Sequence, residues 1–224
     1  MSISILIATI GKTTLKAMLD SLKNQLKKED NLYVVVDGKE YFNDFNCVIS
    51  SFKNYDFNLK TIYEKKNLGH WGHGVRNKYQ KKLKGDYIMH ADDDDIYVDG
   101  AIDLIKNYIE KNDYETMMLF KFFLTNKDDT YWKDPELRLS NIGTPCGVIP
   151  NIPEKMGKWG NRRGGDFDFY NSCKFNYKFI DELIYCAKPM DFKKPMDFKK
   201  PMDFKKPMDF KKPMDFKKPM VYFL

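Results

Sequence analysis

The sequence predicts an α/β fold: a mainly parallel central sheet with helices on both faces and a mixed, partly antiparallel C-terminal extension. Three observations predict it. Short, largely apolar runs bounded by Gly or Asp recur through the first 115 residues or so, as strands buried on both faces require. Segments with apolar residues at helical spacing stand between them. Strand and helix in alternation imply right-handed crossovers between parallel strands.

The elements follow in order. Ile3 to Thr9, closed by Gly11, is the first strand. Thr13 or Thr14 is placed to cap a helix whose Leu15, Met18, Leu19, Leu22 and Leu26 share one stripe. Leu32 to Val36 is a second buried strand ending in Asp37-Gly38, and Leu59 to Tyr63 is a third. A helix with Val75, Tyr79 and Leu83 on one side precedes the strand Tyr87 to Ala91. Asp99 is placed to cap a helix whose Ile102, Ile105, Tyr108 and Ile109 face inward. Past residue 115 the long helices give out, and Thr116 to Thr125, Thr130 to Leu139 and Gly143 to Ile149 read as strands of the extension. Asn151 to Gly165, polar and holding four glycines, reads as a mobile loop.

Charge divides the chain in two. From Lys188 the motif KPMDFK is written five times and then truncated to KPM. The 11 lysines and 5 aspartates of this stretch account for the whole net charge of +6, leaving 27 basic and 27 acidic groups in residues 1–187. A neutral body argues against nucleic-acid binding, which needs a basic face. The division is therefore a folded domain over 1–187 and a low-complexity tail over 188–224. Proline every sixth residue interrupts any helix there, so the tail reads as disordered or extended. Its lysine pairs with interleaved Phe and Met also suit an adhesive arm on a membrane or polyanion. Cys47, Cys146, Cys173 and Cys186 lie far apart with no C-x-x-C pair, so a reducing, cytoplasmic setting is expected. No apolar stretch of about 18 residues occurs to span a membrane.

The residues that carry chemistry gather after predicted strands. Asp92-Asp93-Asp94-Asp95 follows the strand Tyr87 to Ala91 directly. Four adjacent carboxylates repel one another and call for a cation, and the carboxyl ends of strands are where open α/β sheets bind ligands. Oxygen-rich clusters of this kind suit Mn²⁺ or Mg²⁺ together with substrate phosphates; the competing reading is a solvated acidic turn. Asp37 reaches the same sheet edge, where it suits a base or ribose hydroxyl, or a turn cap. The glycine-rich run Asn67 to Asn77, with Arg76, enters a helix and suits an anionic ligand. His70 and His73 in that run read more readily as surface or packing residues than as ligands. Only four of the 38 basic residues are arginines, and Arg76, Arg162 and Arg163 lie in or beside these motifs. Asp166, in Gly164-Gly165-Asp166-Phe167-Asp168-Phe169, is placed either to take a proton from an acceptor hydroxyl or to cap a short helix.

Taken in order, the strand Ile3 to Thr9 with Gly11, then VVVDG, NLGHWGHGVRN, GDYIMHADDDD, GGDFDF and FIDELIY resemble the GT-A glycosyltransferases of the family-2 type across residues 1–187. The resemblance implies a Rossmann-like fold, a nucleotide-sugar donor, a UDP sugar above others, a divalent metal and, usually, inversion at the sugar carbon. It further implies an acceptor hydroxyl on a glycan. Thr9 and Asp37 would contact the nucleotide, with Arg76 and Asn77 in its pocket. Asp92 and Asp94 would match the D-x-D pair, Asp94 as direct metal ligand and Asp92 shared between metal and ribose, with Asp93 alongside in the donor site. Asp166 would match the base.

Two departures stand out. Gly165-Asp166 replaces the more usual Glu-Asp, and no histidine follows His90 to serve as a late metal ligand. A retaining enzyme, which would not need Asp166 as base, stays open. So do a sugar nucleotidyltransferase and a non-catalytic sugar-nucleotide-fold protein anchored by its basic tail. The loop around Trp159 is expected to close over donor and acceptor, and Thr144 to Gly147 to form a small-residue wall.

Overall fold

The computed structural model describes residues 1–125, 129–131 and 134–187. Strand β1 (Ile3–Thr9) is buried at all seven positions. Its side chains alternate between two cores: Ile3, Ile5 and Ile7 join one cluster, while Leu6 and Ala8 join another with Val35, Val75 and Ile88. That is what a strand covered on both faces must do. Parallel neighbours β2 (Asn31–Asp37) and β4 (Tyr87–Asp92) flank it, and β3 (Asn58–Glu64) extends the β2 side.

Helix α1 (Leu15–Lys23) buries Leu15, Met18, Leu19 and Leu22, and α4 (Ala101–Glu110) buries Ala101, Ile102, Ile105 and Ile109. Neither expected cap forms. Thr14 stands at the α1 N-cap without a side-chain hydrogen bond, and Gly100, left-handed at φ 79°, takes the α4 N-cap in place of Asp99. Helix α3 (His73–Tyr79) buries Val75 and Arg76, and Leu83 follows it into the core. Helix α2 (Phe42–Ser51), between β2 and β3, was not expected. Its Asn, Asp, Ser, Cys and β-branched residues are weak helix formers, and only Phe45 is fully buried.

Strand β5 (Ile96–Tyr97) is a short pair of residues after β4. The extension comprises β6 (Thr116–Leu124), β7 (Asp129–Tyr131), β8 (Gly147–Pro150) and β9 (Asn176–Ala187), with helix α5 (Gly165–Ser172) before the last strand. The sheet order is β3-β2-β1-β4-β8-β6-β9-β5, with β7 on β6. The half from β3 to β4 is all parallel; β8 joins β4 and β6 antiparallel, and β9 runs parallel to β6. The predicted class is thus observed, with three local corrections, the first being that the strand expected over Gly143–Ile149 begins only at Gly147, after a 3₁₀ turn over Thr144–Cys146. The strand expected over Thr130–Leu139 is confined, among the described residues, to β7, and β9 is twelve residues long where no strand was assigned. The extended or disordered form expected of the KPMDFK tail lies outside the described residues. No helix among the described residues is long and apolar enough to cross a membrane.

The segment 151–165 is pinned to the body. Trp159 is wholly buried and stacks on Phe169 with ring centroids 4.4 Å apart. Its indole N–H donates to Gln80 Oε1 at 3.0 Å, and its backbone N–H and carbonyl both bond the Asn77 amide at 2.9 Å. Gln80 Nε2 donates to the Gly157 carbonyl at 2.9 Å. A ring held in this way belongs to the core and is no lid, which corrects the expectation for Trp159. Truncation in the Trp159→Ala variant should therefore cost about 3–5 kcal/mol of stability, as for other large buried aromatics. Urea unfolding monitored by circular dichroism tests this, and a loss within about 0.5 kcal/mol, the range of a surface change, would show that the loop is not part of the core.

Candidate active site

Strands β2, β1 and β4 end together. Thr9 lies opposite Val36 on one side, and Ala8 lies opposite Asp92 on the other. Chain order runs outward from β1 through β2 to β3, then returns to β4 on the opposite side. The carboxyl ends of β1 and β4 thus form a topological switch point, the crevice where open α/β sheets take ligands. A cleft of about 450 Å³ opens there, lined by Thr9, Lys12, Asp37, Trp71, Asp92 and Asp94 among others. A larger groove of about 570 Å³ lies between α1 and α2, but its lining includes Cys47 and Val48 and a single carboxylate, Asp44. The chemistry is in the first.

The aspartate run divides by alternation. Asp93 and Asp95 are 5% and 3% exposed, while the side chains of Asp92 and Asp94 are each 34% exposed. Asp93 accepts from the Thr9 hydroxyl at 2.6 Å and pairs with Lys12 Nζ at 3.2 Å. Burial pushes its carboxyl up and outweighs these two partners. Lys12 also reaches Asp94 at 3.3 Å. Burial pulls the Lys12 ammonium down, but Asp93 and Asp94 more than offset it, so it stays protonated beyond the ordinary lysine range. Lys12 was no candidate from sequence: it stands 81 residues from Asp93, and a lysine in a turn carries no signal of its own.

Arg76 is 1% exposed. Its Nη2 donates to Asp92 Oδ1 at 2.5 Å and to the Ala91 carbonyl at 3.1 Å, and Nη1 donates to the Trp71 carbonyl at 3.0 Å. The guanidinium lies over the Trp159 ring, 4.9 Å from its centroid. From below, the Asp92 N–H donates to the Tyr185 hydroxyl at 3.1 Å. Asp37 is buried and accepts from the Leu68 and Gly69 amides at 2.7 and 3.0 Å, fixing the start of the glycine-rich run. Burial raises its carboxyl above the ordinary aspartate value despite these amides.

Asp166, in the first turn of α5, accepts from the Phe167 N–H at 2.8 Å. It does not cap the helix, since Gly164 is the N-cap. Burial raises its carboxyl, the Phe167 amide pulls it down, and the negative field of Asp92 raises it again. Asp166 is thus near enough to Asp92 for the two charges to interact, but it is not part of the cleft lining.

The structure brings Thr9, Asp37, Asp92, Asp93 and Asp94 to one cleft. Arg76 stands behind Asp92 and does not line the cleft, and Asn77 turns away to hold the Trp159 backbone. Arg162 is paired with Asp168 through two bonds of 3.0 and 2.5 Å. His73 is a packing residue: its Nδ1 meets the Gly160 carbonyl at 2.7 Å, and burial lowers its pKa. Of the wall Thr144 to Gly147, only Thr144 lines the cleft. Tyr170 fixes that wall, donating to the Thr144 carbonyl at 2.7 Å and accepting from the Gly147 N–H at 2.9 Å.

For a divalent cation, the fit rests on two carboxylates. Asp92 gives one oxygen to Arg76 and Asp94 gives one to Lys12, and their other oxygens have no protein partner among the described residues. No group of three or more metal-binding side chains exists among the described residues. Such a donor set suits Mg²⁺ or Mn²⁺ completed by phosphate oxygens and water.

A parallel half-sheet with an acidic turn at its switch point, joined to a mixed extension, defines a GT-A-type domain. The family model for glycosyl transferase family 2 matches residues 4–183, and the chain belongs to that family. It is similar to a protein described as an uncharacterized glycosyltransferase, the MG060 homolog of Mycoplasma pneumoniae, with 27% identity over 147 residues, covering 64% of this chain and 46% of that protein. It thus spans about half the length of that relative. Among solved structures it is similar to S. aureus TarS 1-349, with a TM-score of 0.66 and 19% identity over 84% of this chain and 60% of that one. TarS 1-349 in complex with UDP gives 0.64 and 18% over 84% and 60%; the complex with UDP-GlcNAc gives 0.66 and 17% over 85% and 59%. At these identities the likeness to TarS is one of fold.

Removing Arg76 would leave Asp92 without its cation and the Trp71 turn without its tie. The Arg76→Ala variant should lose about 3 kcal/mol, the low end for a broken buried pair because Asp92 is partly open to water. Chemical unfolding measures this, and a change within about 0.5 kcal/mol would refute the tie.

Proposed function

We propose that this chain is the catalytic domain of a glycosyltransferase that moves a sugar from a nucleoside diphosphate sugar, a UDP sugar by preference, to an acceptor hydroxyl. The observation that carries the reading is the cleft at the β1/β4 switch point, which Asp92 and Asp94 line with their partly open carboxylates; Asp166 lies outside that lining but near enough for the Asp92 charge to raise its carboxyl. The family match and the TarS complexes with UDP and UDP-GlcNAc support the donor class.

The roles follow from the local chemistry. Asp37 and Thr9 border the nucleotide end of the cleft. The bond that breaks joins the sugar carbon to a phosphate oxygen, and the electron pair leaves with the nucleoside diphosphate. Lys12, the cation lining the cleft, stabilises that growing charge. Mn²⁺ or Mg²⁺ bound at Asp94, with Asp92 beside it, would add Lewis-acid stabilisation of the same oxygens. Asp166 takes the acceptor proton as the acceptor oxygen bonds the sugar carbon from the opposite face, which inverts its configuration. Arg76 holds Asp92 in place and acts through it.

Calorimetry of UDP with Mn²⁺ tests the first assignment: Asp94→Ala should abolish metal-dependent binding, and unchanged affinity would remove Asp94 as a ligand. For Asp166→Asn, donor binding should persist while transfer falls by about 10²–10⁴, the usual contribution of a general base; full turnover would eliminate the base and favour a retaining route. The pH profile carries the sign of the Asp166 shift. The base acts deprotonated and its pKa is raised, chiefly by burial. Activity should therefore fall, as pH drops, at a higher pH than an ordinary aspartate would give, and an acid limb at or below that ordinary range would contradict the assignment.

A further inference from the structure

Trp71 is the most exposed of the large hydrophobic side chains among the described residues, at 68%. It is also placed with care. Gly69, His70, Trp71 and Gly72 all have positive φ, at 65°, 55°, 54° and 81°. For the two residues with a Cβ, such a conformation costs on the order of 1–2 kcal/mol each. Gly72 is obligatory, because a Cβ there would lie 2.7 Å from the Ala8 Cβ and 3.0 Å from Arg76 Nη1. Arg76 then ties the turn down through the Trp71 carbonyl. The result is a large apolar ring on the lining of the cleft, without the burial that ordinarily accompanies a tryptophan.

Its neighbours say which end of the cleft it serves. The Trp71 ring lies 6.3 Å from the His73 ring. His73 in turn packs on the backbone of Gly165, where an added Cβ would come within 2.6 Å of His73 Nδ1. Gly165 precedes Asp166. Arg76 also joins the Trp71 carbonyl to Asp92 on the cleft lining. Asp37, by contrast, holds the opening of the run at Leu68 and Gly69.

We propose that Trp71 is the stacking platform for the acceptor sugar: the indole face covers the apolar C–H face of a pyranose ring and steers its hydroxyl to Asp166. The inference rests on the glycosyltransferase reading above. It adds where the acceptor sugar binds, on the Trp71 side of the cleft, with the nucleobase lying toward Asp37. The side chain suits this use, since an indole offers a wide, rigid apolar face at small cost in conformational freedom.

The full chain and its Trp71→Ala and Trp71→Phe variants are titrated with methyl β-glycosides of glucose, galactose, mannose and N-acetylglucosamine, with and without UDP and Mn²⁺. Binding is read by saturation-transfer NMR, and UDP affinity is measured separately by calorimetry. At least one glycoside should bind the wild type, weaken by about tenfold in Trp71→Ala, as loss of one stacking platform predicts, and recover in part in Trp71→Phe. UDP affinity should stay within about twofold throughout, under 0.5 kcal/mol. Equal glycoside binding by Trp71→Ala, or no glycoside binding by the wild type, would overturn the platform. So would a tenfold loss of UDP affinity in Trp71→Ala, which would make the ring a nucleobase platform. Circular dichroism establishes that each variant is folded. Failure of the wild type to bind UDP counts against the donor reading alone, because the glycoside titration is scored with and without the nucleotide.

Discussion

One buried cation sets the geometry of the cleft. Arg76 is closed off from water, and its guanidinium meets the carbonyls of Trp71 and Ala91, the carboxylate of Asp92 and the face of Trp159. Those groups come from the glycine-rich turn, the end of β4 and the 151–165 segment, which are far apart in sequence. A planar fork with several fixed donors can serve them together, whereas an ammonium on a flexible stem is a point charge without that geometry. A charge so placed is tolerable only with a counter-charge and satisfied donors. Asp92 supplies the first and the two carbonyls most of the second. The orientation of Asp92, the left-handed turn at Trp71 and the docking of the Trp159 loop are thereby coupled through one side chain.

The same economy explains how four consecutive aspartates coexist. Side chains alternate through the turn, so Asp93 and Asp95 point inward while Asp92 and Asp94 stay partly open. Asp93 is held by Thr9 and Lys12. Asp92 and Asp94 each keep one oxygen on a protein cation and leave one toward the cleft. Repulsion within the run is thus met by cations from two other parts of the chain, and an i, i+2 pair remains for a ligand. The amide hydrogen bond from Asp92 to Tyr185 shows that β9, at the far end of the sequence, supports this turn from beneath.

The 151–165 segment shows how composition misleads. Its glycines and polar residues suggest motion, yet Gly157, Gly160 and Gly165 are where the chain runs closest to its neighbours. A Cβ at Gly157 would lie 2.0 Å from the Phe169 carbonyl oxygen, and one at Gly160 would lie 2.0 Å from Asp168 Oδ2. Here glycine permits close packing. Trp159 fills the space between Phe169, His90 and Arg76, so the segment carries part of the core.

Much of the architecture was legible from local pattern. The largely apolar runs of β1, β2 and β4 and the stripes of α1 and α4 state their own burial, because the period of apolar residues reflects the geometry of a single element. The position of Asp37 and of Asp92 to Asp94 at strand ends followed from the same pattern, since parallel strands must present their carboxyl ends on one edge. Weak local signals hid α2, whose residues form helix only when Phe45 and its neighbours find a core, and β9, which is interrupted by a bulge where it passes β6. What tertiary structure alone decided is which charges and rings meet: Lys12 with Asp93 and Asp94, Arg76 with Asp92, Asn77 with Trp159 instead of the cleft. Such partners are set by the relative placement of whole elements packed against each other, and no periodicity within one segment encodes the distance to another.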